Sequence, residues 1–343
     1  MKDALWHAPM LKRIFAWAEP FILMLVGTVI LASLLPARGE WARVASIAAQ
    51  IGIVALFFLH GARLSREAIV AGAAHWRLHA TVMAATFVLF PICGLILRSL
   101  PWIDPALGTG LLFLTLLPST VQSSIAFTAI ARGNVAAAVC SASFSNFFGI
   151  FATPALVALT IGGAGQGGGG GSLAAIEAIV VQLLVPFLAG HLLRPLIGGF
   201  VMRQKRLLTV VDRGSILLVV YTAFGAAVVE GLWSRMSIGD LGIILALDAI
   251  LLAAVLAFTT FVGRHAGLQR EDEIVLVFSG SKKSLASGVP MAGALFPSAQ
   301  VGLVILPLML FHQLQLIVCA TIAQRYARRR PEPLETCDAL SSA

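Results

Sequence analysis

Apolar residues run through this chain in long blocks separated by short polar breaks. Stretches such as Phe21 to Leu35 and Ile243 to Phe258 are continuously apolar, and helices of about 20 such residues cross a ~30 Å hydrocarbon layer. A closed barrel would need ~10-residue segments of alternating polarity, which these blocks do not show. Reading block against break predicts ten membrane-spanning helices, near residues 18–36, 43–61, 78–98, 108–130, 134–161, 173–197, 214–233, 239–262, 272–296 and 299–323. The expected fold is therefore an all-α integral membrane protein.

Composition supports lipid as the main solvent, since 59% of the 343 residues are hydrophobic, only 12% are charged, and the mean hydropathy is +0.93. The net charge of +8 does not point to nucleic acid, because the basic residues lie in short loops between apolar blocks. They orient the chain instead. With both termini in the cytoplasm, eighteen Lys and Arg residues lie inside against four outside, Arg38, Arg43, Arg98 and Arg235. The sequence thus reads as a multi-pass inner (plasma) membrane protein with cytoplasmic N- and C-termini. No small-residue cleavage signature precedes Glu19-Pro20, and the cysteines show neither a disulfide framework nor a metal-binding spacing.

A glycine-rich stretch at residues 162–172 divides the spans five and five and reads as a flexible extracytoplasmic linker. Residues 1–161 then form a first five-helix repeat, 173–323 a second, and 324–343 a cytoplasmic tail. Two halves of five spans enter the membrane from opposite faces, the arrangement of inverted-repeat transporters. Corresponding helices of the halves should be interrupted. In the fourth span Pro118-Ser-Thr-Val-Gln-Ser-Ser124 breaks an apolar run, and in the ninth Phe278-Ser-Gly-Ser-Lys-Lys-Ser284 does the same. Proline removes a backbone donor and the polar side chains can re-satisfy the freed groups.

Paired broken helices near the midplane are where ions and substrates bind in such proteins, so Gln122, Ser123, Ser124, Ser279, Ser281, Lys282, Lys283 and Ser284 are candidate ion- or substrate-binding residues. For the serines the plain alternative is helix packing. For the lysines it is snorkelling toward a water-filled vestibule, yet an ammonium at a helix centre costs at least ~2.5 kcal/mol on insertion scales. They could replace a bound cation, attract an anionic substrate, or exchange protons. Asp248 interrupts the eighth span and is the candidate counter-ion to a lysine, unless its helix sits off-centre. In the tenth span His312 and Gln313 interrupt an apolar run, and His312 could carry protons or bond a neighbouring helix. Ser141, Ser143, Ser145 and Asn146 cluster in the fifth span, where helical spacing lets only part of the group face one site, and Ser143 joins the candidates. Ser143 and His312 make no convincing nucleophile and base, so an enzyme is not expected.

The segments Pro118 to Ser124, Ala131-Arg-Gly-Asn-Val135, Thr153-Pro154, Gly280-Ser-Lys-Lys-Ser-Leu285 and Pro307-Leu-Met-Leu-Phe-His-Gln313 resemble the bile acid:sodium symporter family, in the branch with a Ser-Lys-Lys-Ser ninth helix. The resemblance spans nearly the whole chain. It implies a panel of helices 1, 2, 6 and 7 and a core of helices 3–5 and 8–10, with helices 4 and 9 discontinuous and crossing at the sodium and substrate sites. Carried over from the bile acid branch, the helix-4 Ser-Asn pair falls at Ser123-Ser124 or, in the alternative register, Ser124-Ile125. The sodium-binding glutamine of helix 3 falls at Thr86. The essential helix-9 glutamate falls at Phe278 or Ser279, the glutamine and asparagine after it become Lys282 and Lys283, and the helix-5 hydroxyls fall at Ala138 and Ala142.

The resemblance therefore implies a secondary active transporter of an organic, anionic solute by alternating access, with its sodium ligands largely replaced. Such a carrier would be sodium-independent or proton-coupled, Na+ or H+ being the candidate coupling ions and no other cofactor being expected. The expected partners are the small organic solute and membrane lipids, with Arg328-Arg-Arg330 placed for anionic headgroups, no nucleic acid, and no protein partner specified. The competing reading is a non-transporting membrane regulator or scaffold on a transporter fold.

Overall fold

The computed structural model describes residues 20–63, 75–161, 180–231 and 237–328, and all regular secondary structure among them is helical. In chain order the helices are α1 (Pro20–Leu34), α2 (Glu40–Arg63), α3 (Trp76–Arg98), α4 (Pro105–Leu116), α5 (Gln122–Ile130) and α6 (Val135–Thr160). In the second half come α7 (Val185–Arg203, preceded by a π-helical turn Val180–Leu184), α8 (Lys205–Val229), α9 (Ile238–His265), α10 (Arg270–Gly280), α11 (Leu285–Leu295) and α12 (Ser298–Arg328). Seven of these elements are long and apolar enough to cross a membrane alone. The fourth span is α4 with α5 and the ninth is α10 with α11. No piece of either exceeds 12 residues, because each span is broken where the polar clusters predict.

Some ends lie beyond their apolar blocks. The seventh span starts at Lys205 rather than near 214, and its polar first turns are fixed by the ion pair of Asp212 with Arg63 of α2 at 2.7 Å. The tenth continues to Arg328. The glycine-rich linker at 162–172, residues 1–19 and the tail beyond 328 lie outside the described residues.

The outer surface carries bare apolar side chains, among them Leu196 at 81% exposure and Leu159 at 78%, as lipid-facing helices require. Helices α1, α2, α7 and α8 pack on one another as a panel. Its tightest crossing is reciprocal, since a Cβ on Gly61 would collide with the Phe187 carbonyl and one on Gly190 with the Phe58 carbonyl. Glycines there let the α2 and α7 backbones touch. The core holds α3 to α6 and α9 to α12. Its hairpin before α6 turns through Arg132 in the left-handed region (φ 60°) and ends on Asn134, whose side chain caps α6 by accepting from Ala137 N at 3.0 Å. The Asn134 amide also donates to Asp272 of α10 at 3.0 Å, tying the two halves of the core together.

Candidate functional site

A helix that stops inside a membrane leaves its last carbonyls without donors, and lipid supplies none. At the end of α4 and in the turn after it, the five successive carbonyls of residues 115–119 are met from other spans. Thr115 and Leu117 accept from the Lys283 ammonium, each at 2.7 Å. Leu116 accepts from the Thr153 hydroxyl of α6 at 2.7 Å, Pro118 from the Ser284 backbone N–H at 2.9 Å, and Ser119 from the Asn146 side-chain amide at 2.8 Å. The end of α10 is met by hydroxyls: Ser281 donates to Val277 O at 2.5 Å, Ser124 to Phe278 O at 2.9 Å and Ser119 to Ser279 O at 2.6 Å. The two breaks therefore cross and satisfy one another.

Lys283 has a third acceptor, the Thr86 carbonyl of α3, at 2.8 Å. That carbonyl is free for a local reason. Ala85–Leu89 form a π-helical turn in which the Phe90 N–H bonds Ala85 O, and Pro91, next in line, has no N–H to offer Thr86. All three ammonium donors are thus used, and the Phe90 ring lies 4.1 Å from Nζ. The fully buried Lys283 nitrogen sits on three carbonyl oxygens at the negative end of a half-helix, the position in which broken-helix transporters hold a coupling cation.

The Lys283 main chain is clamped by Gln315 of α12, whose Oε1 accepts from Lys283 N at 2.9 Å while Nε2 donates to Lys283 O at 3.0 Å. This pairing fixes which end of the amide is nitrogen. His312 Nδ1, 2.8 Å from that nitrogen, is consequently an acceptor, and the neutral ring carries its proton on Nε2.

Lys282 is the opposite case. It is completely buried, its Nζ has no hydrogen-bond partner among the described residues, and it lies 3.8 Å from the centre of the Phe127 ring and 5.5 Å from that of Phe278. Asp248 does not pair with either lysine: it is fully buried on α9, and both carboxyl oxygens are unpartnered among the described residues. The deep acid and the lysines sit on different spans, and charge alone does not bring them together.

The remaining expected residues divide. Thr86 contributes its carbonyl, while its hydroxyl turns back to Val82 O at 2.8 Å. Ser124, Ser281, Ser284 and the Ser279 carbonyl belong to the crossover, but the buried Ser279 hydroxyl is unpartnered. Ser123 meets Thr120 Oγ1 at 2.5 Å, and Gln122 is exposed at the start of α5. Ser143 and Gln313 are half-buried and take no part in these bonds. From the serine cluster of α6 the crossover uses Ser145, which accepts from Ser119 N at 3.0 Å, and Asn146, whose Oδ1 accepts from Ser287 at 3.0 Å. Ser119, Asn146, Thr153 and Gln315 were not among the expected site residues. Gln315 carried a signal, since Leu308, Phe311, Gln315 and Cys319 mark one buried face of α12.

The family model for SBF-like CPA transporters matches residues 19–328 of this chain. The chain belongs to that family. It is 56% identical over 317 residues to an uncharacterized protein of Pseudomonas aeruginosa, covering 92% of this chain and 94% of that one. It is 50% identical over 322 residues to an Escherichia coli K12 protein named "Putative symporter YfeH", covering 92% and 95%. Sodium/bile acid cotransporter 7 of Rattus norvegicus is 26% identical over 276 residues, covering 78% and 79%. Members of this bile acid:sodium symporter-like family are multi-pass membrane transporters, not enzymes.

Proposed function

We propose that this transporter moves an organic anionic solute by alternating access of core against panel, without sodium in the position that Lys283 fills. The observation that carries this reading is the coordination of Lys283 Nζ by Thr86, Thr115 and Leu117 carbonyls at 2.7–2.8 Å. A tethered ammonium supplies there the charge that a bound cation would otherwise bring. The solute's charge would meet helix N-termini rather than a lysine. Both α5 and α11 begin at the crossover, where Asn146 bridges Ser119 and Ser287 and the half-buried Ser123 adds a hydroxyl. N-terminal N–H groups and hydroxyls suit an anionic headgroup. Both termini lie in the cytoplasm on this reading, which the bias of basic residues toward one set of loops supports.

The test is uptake of a defined mixture of small carboxylates and sulfonates into proteoliposomes, read by mass spectrometry in potassium buffer free of sodium. Saturable uptake of at least one anion without sodium is the expected result. Uptake only with a sodium gradient would overturn the sodium-independent reading. No uptake, with no anion raising the Tm, would favour the scaffold.

A further inference from the structure

Adjacent lysines at one helix break would be expected to share a task, but their surroundings separate them. Lys283 spends every donor on a carbonyl. Lys282, equally buried, meets no hydrogen-bond acceptor among the described residues, and its Nζ lies over the faces of Phe127 and Phe278. Ring faces attract a positive charge but accept no conventional hydrogen bond, and an isolated ammonium with three unmet donors is among the costliest groups to bury. A neutral amine is far cheaper there. The titratable groups electrostatically coupled to it come from α12, His312 and Cys319, with Lys283 beside it on the same break. Helix α5 presents Phe127 and carries no titratable residue, and the acids of α10 lie in its first turn, away from Phe278. Among the described residues no carboxylate pairs with it. His312 Nδ1 is engaged by Gln315.

We infer that Lys282 is the proton-exchanging residue of the transport cycle, while Lys283 is a permanent internal cation. In the exchange one N–H bond of the ammonium breaks, the electron pair stays on Nζ, and the proton passes to the departing water as the core moves and closes the aromatic cage. The reverse step reloads it. This assignment rests on the transporter reading, yet it can be measured without a solute.

The chain has five lysines, of which Lys2, Lys12 and Lys205 lie outside the broken spans. Purified protein carrying 13Cε-lysine then gives a small set of NMR signals, assigned with Lys282→Arg and Lys283→Arg. Between pH 5 and 9 the Lys282 signal is expected to move from its ammonium to its amine position while the Lys283 signal stays fixed. Lys282→Met should keep the fold, judged by Tm, and lose most of the pH dependence of Tm across that range. A Lys282 signal that stays fixed, or an unchanged pH profile in Lys282→Met, overturns the assignment. A signal shift caused instead by added chloride or acetate at constant pH would make the residue an anion site, and would overturn it as well. None of these outcomes depends on solute uptake, so the transporter reading stands or falls separately.

Discussion

Lys283→Met lowers the free energy of unfolding by about 3–5 kcal/mol, the usual consequence of removing one partner from a buried charged network. Methionine keeps much of the apolar stem but leaves the carbonyls of Thr86, Thr115 and Leu117 facing no donor in a region that water does not reach. Neither α4 nor α3 can repair the loss locally. The α4 chain has already turned out of its helix, and Pro91 blocks the repair in α3. Lys282→Met is the matched control, because it deletes a side chain of the same size and burial that satisfies no acceptor. Its cost is expected below about 1 kcal/mol. Denaturant unfolding in detergent micelles measures both, and equal losses in the two variants would refute the distinct roles assigned to the lysines.

Gln315→Met has the next largest expected effect, roughly 2–4 kcal/mol, since it strands the buried N–H and C=O of Lys283 at about 1–2 kcal/mol each. It also leaves His312 Nδ1 without the Gln315 amide beside it. The two substitutions share one network, and their effects should fall short of additivity when combined. The same unfolding measurements check this through a double-mutant cycle. Full additivity would mean that Gln315 does not act through Lys283.

The scaffold of this site is legible in the sequence because lipid makes strong demands. Uninterrupted apolar blocks have to be helices, and a Pro-Ser-Thr cluster in one half with a Ser-Lys-Lys-Ser cluster in the other has to break them. Two lysines inside an apolar block stand out by their cost alone. What joins the breaks is less visible, because it depends on neighbours far along the chain. Gln315 reaches across from α12 to a main-chain pair, which no local pattern announces, although its place on the buried face with Phe311 and Cys319 hints at it. Asn146 and Ser145 line the crossover while Ser143 does not, a choice made by the rotation of α6. Thr86 matters through a carbonyl released by a π turn and Pro91, where its residue type suggests the hydroxyl. Asp248 shows the limit of pairing opposite charges by depth, since its carboxyl oxygens meet no donor among the described residues.

The central claim is that Lys283 stands in for a bound cation, and thermal stability in the presence of chosen cations tests it most directly. Wild-type protein and Lys283→Ala are each melted in choline chloride, in sodium chloride and in ethylammonium chloride at matched ionic strength. A cation that fills the vacated position has to stabilise the form it binds by mass action. The account predicts a wild-type Tm indifferent to the choice of cation, and a Lys283→Ala Tm that is low in choline and rises with ethylammonium or sodium. Sodium-dependent stabilisation of the wild type, absent in choline, would contradict it.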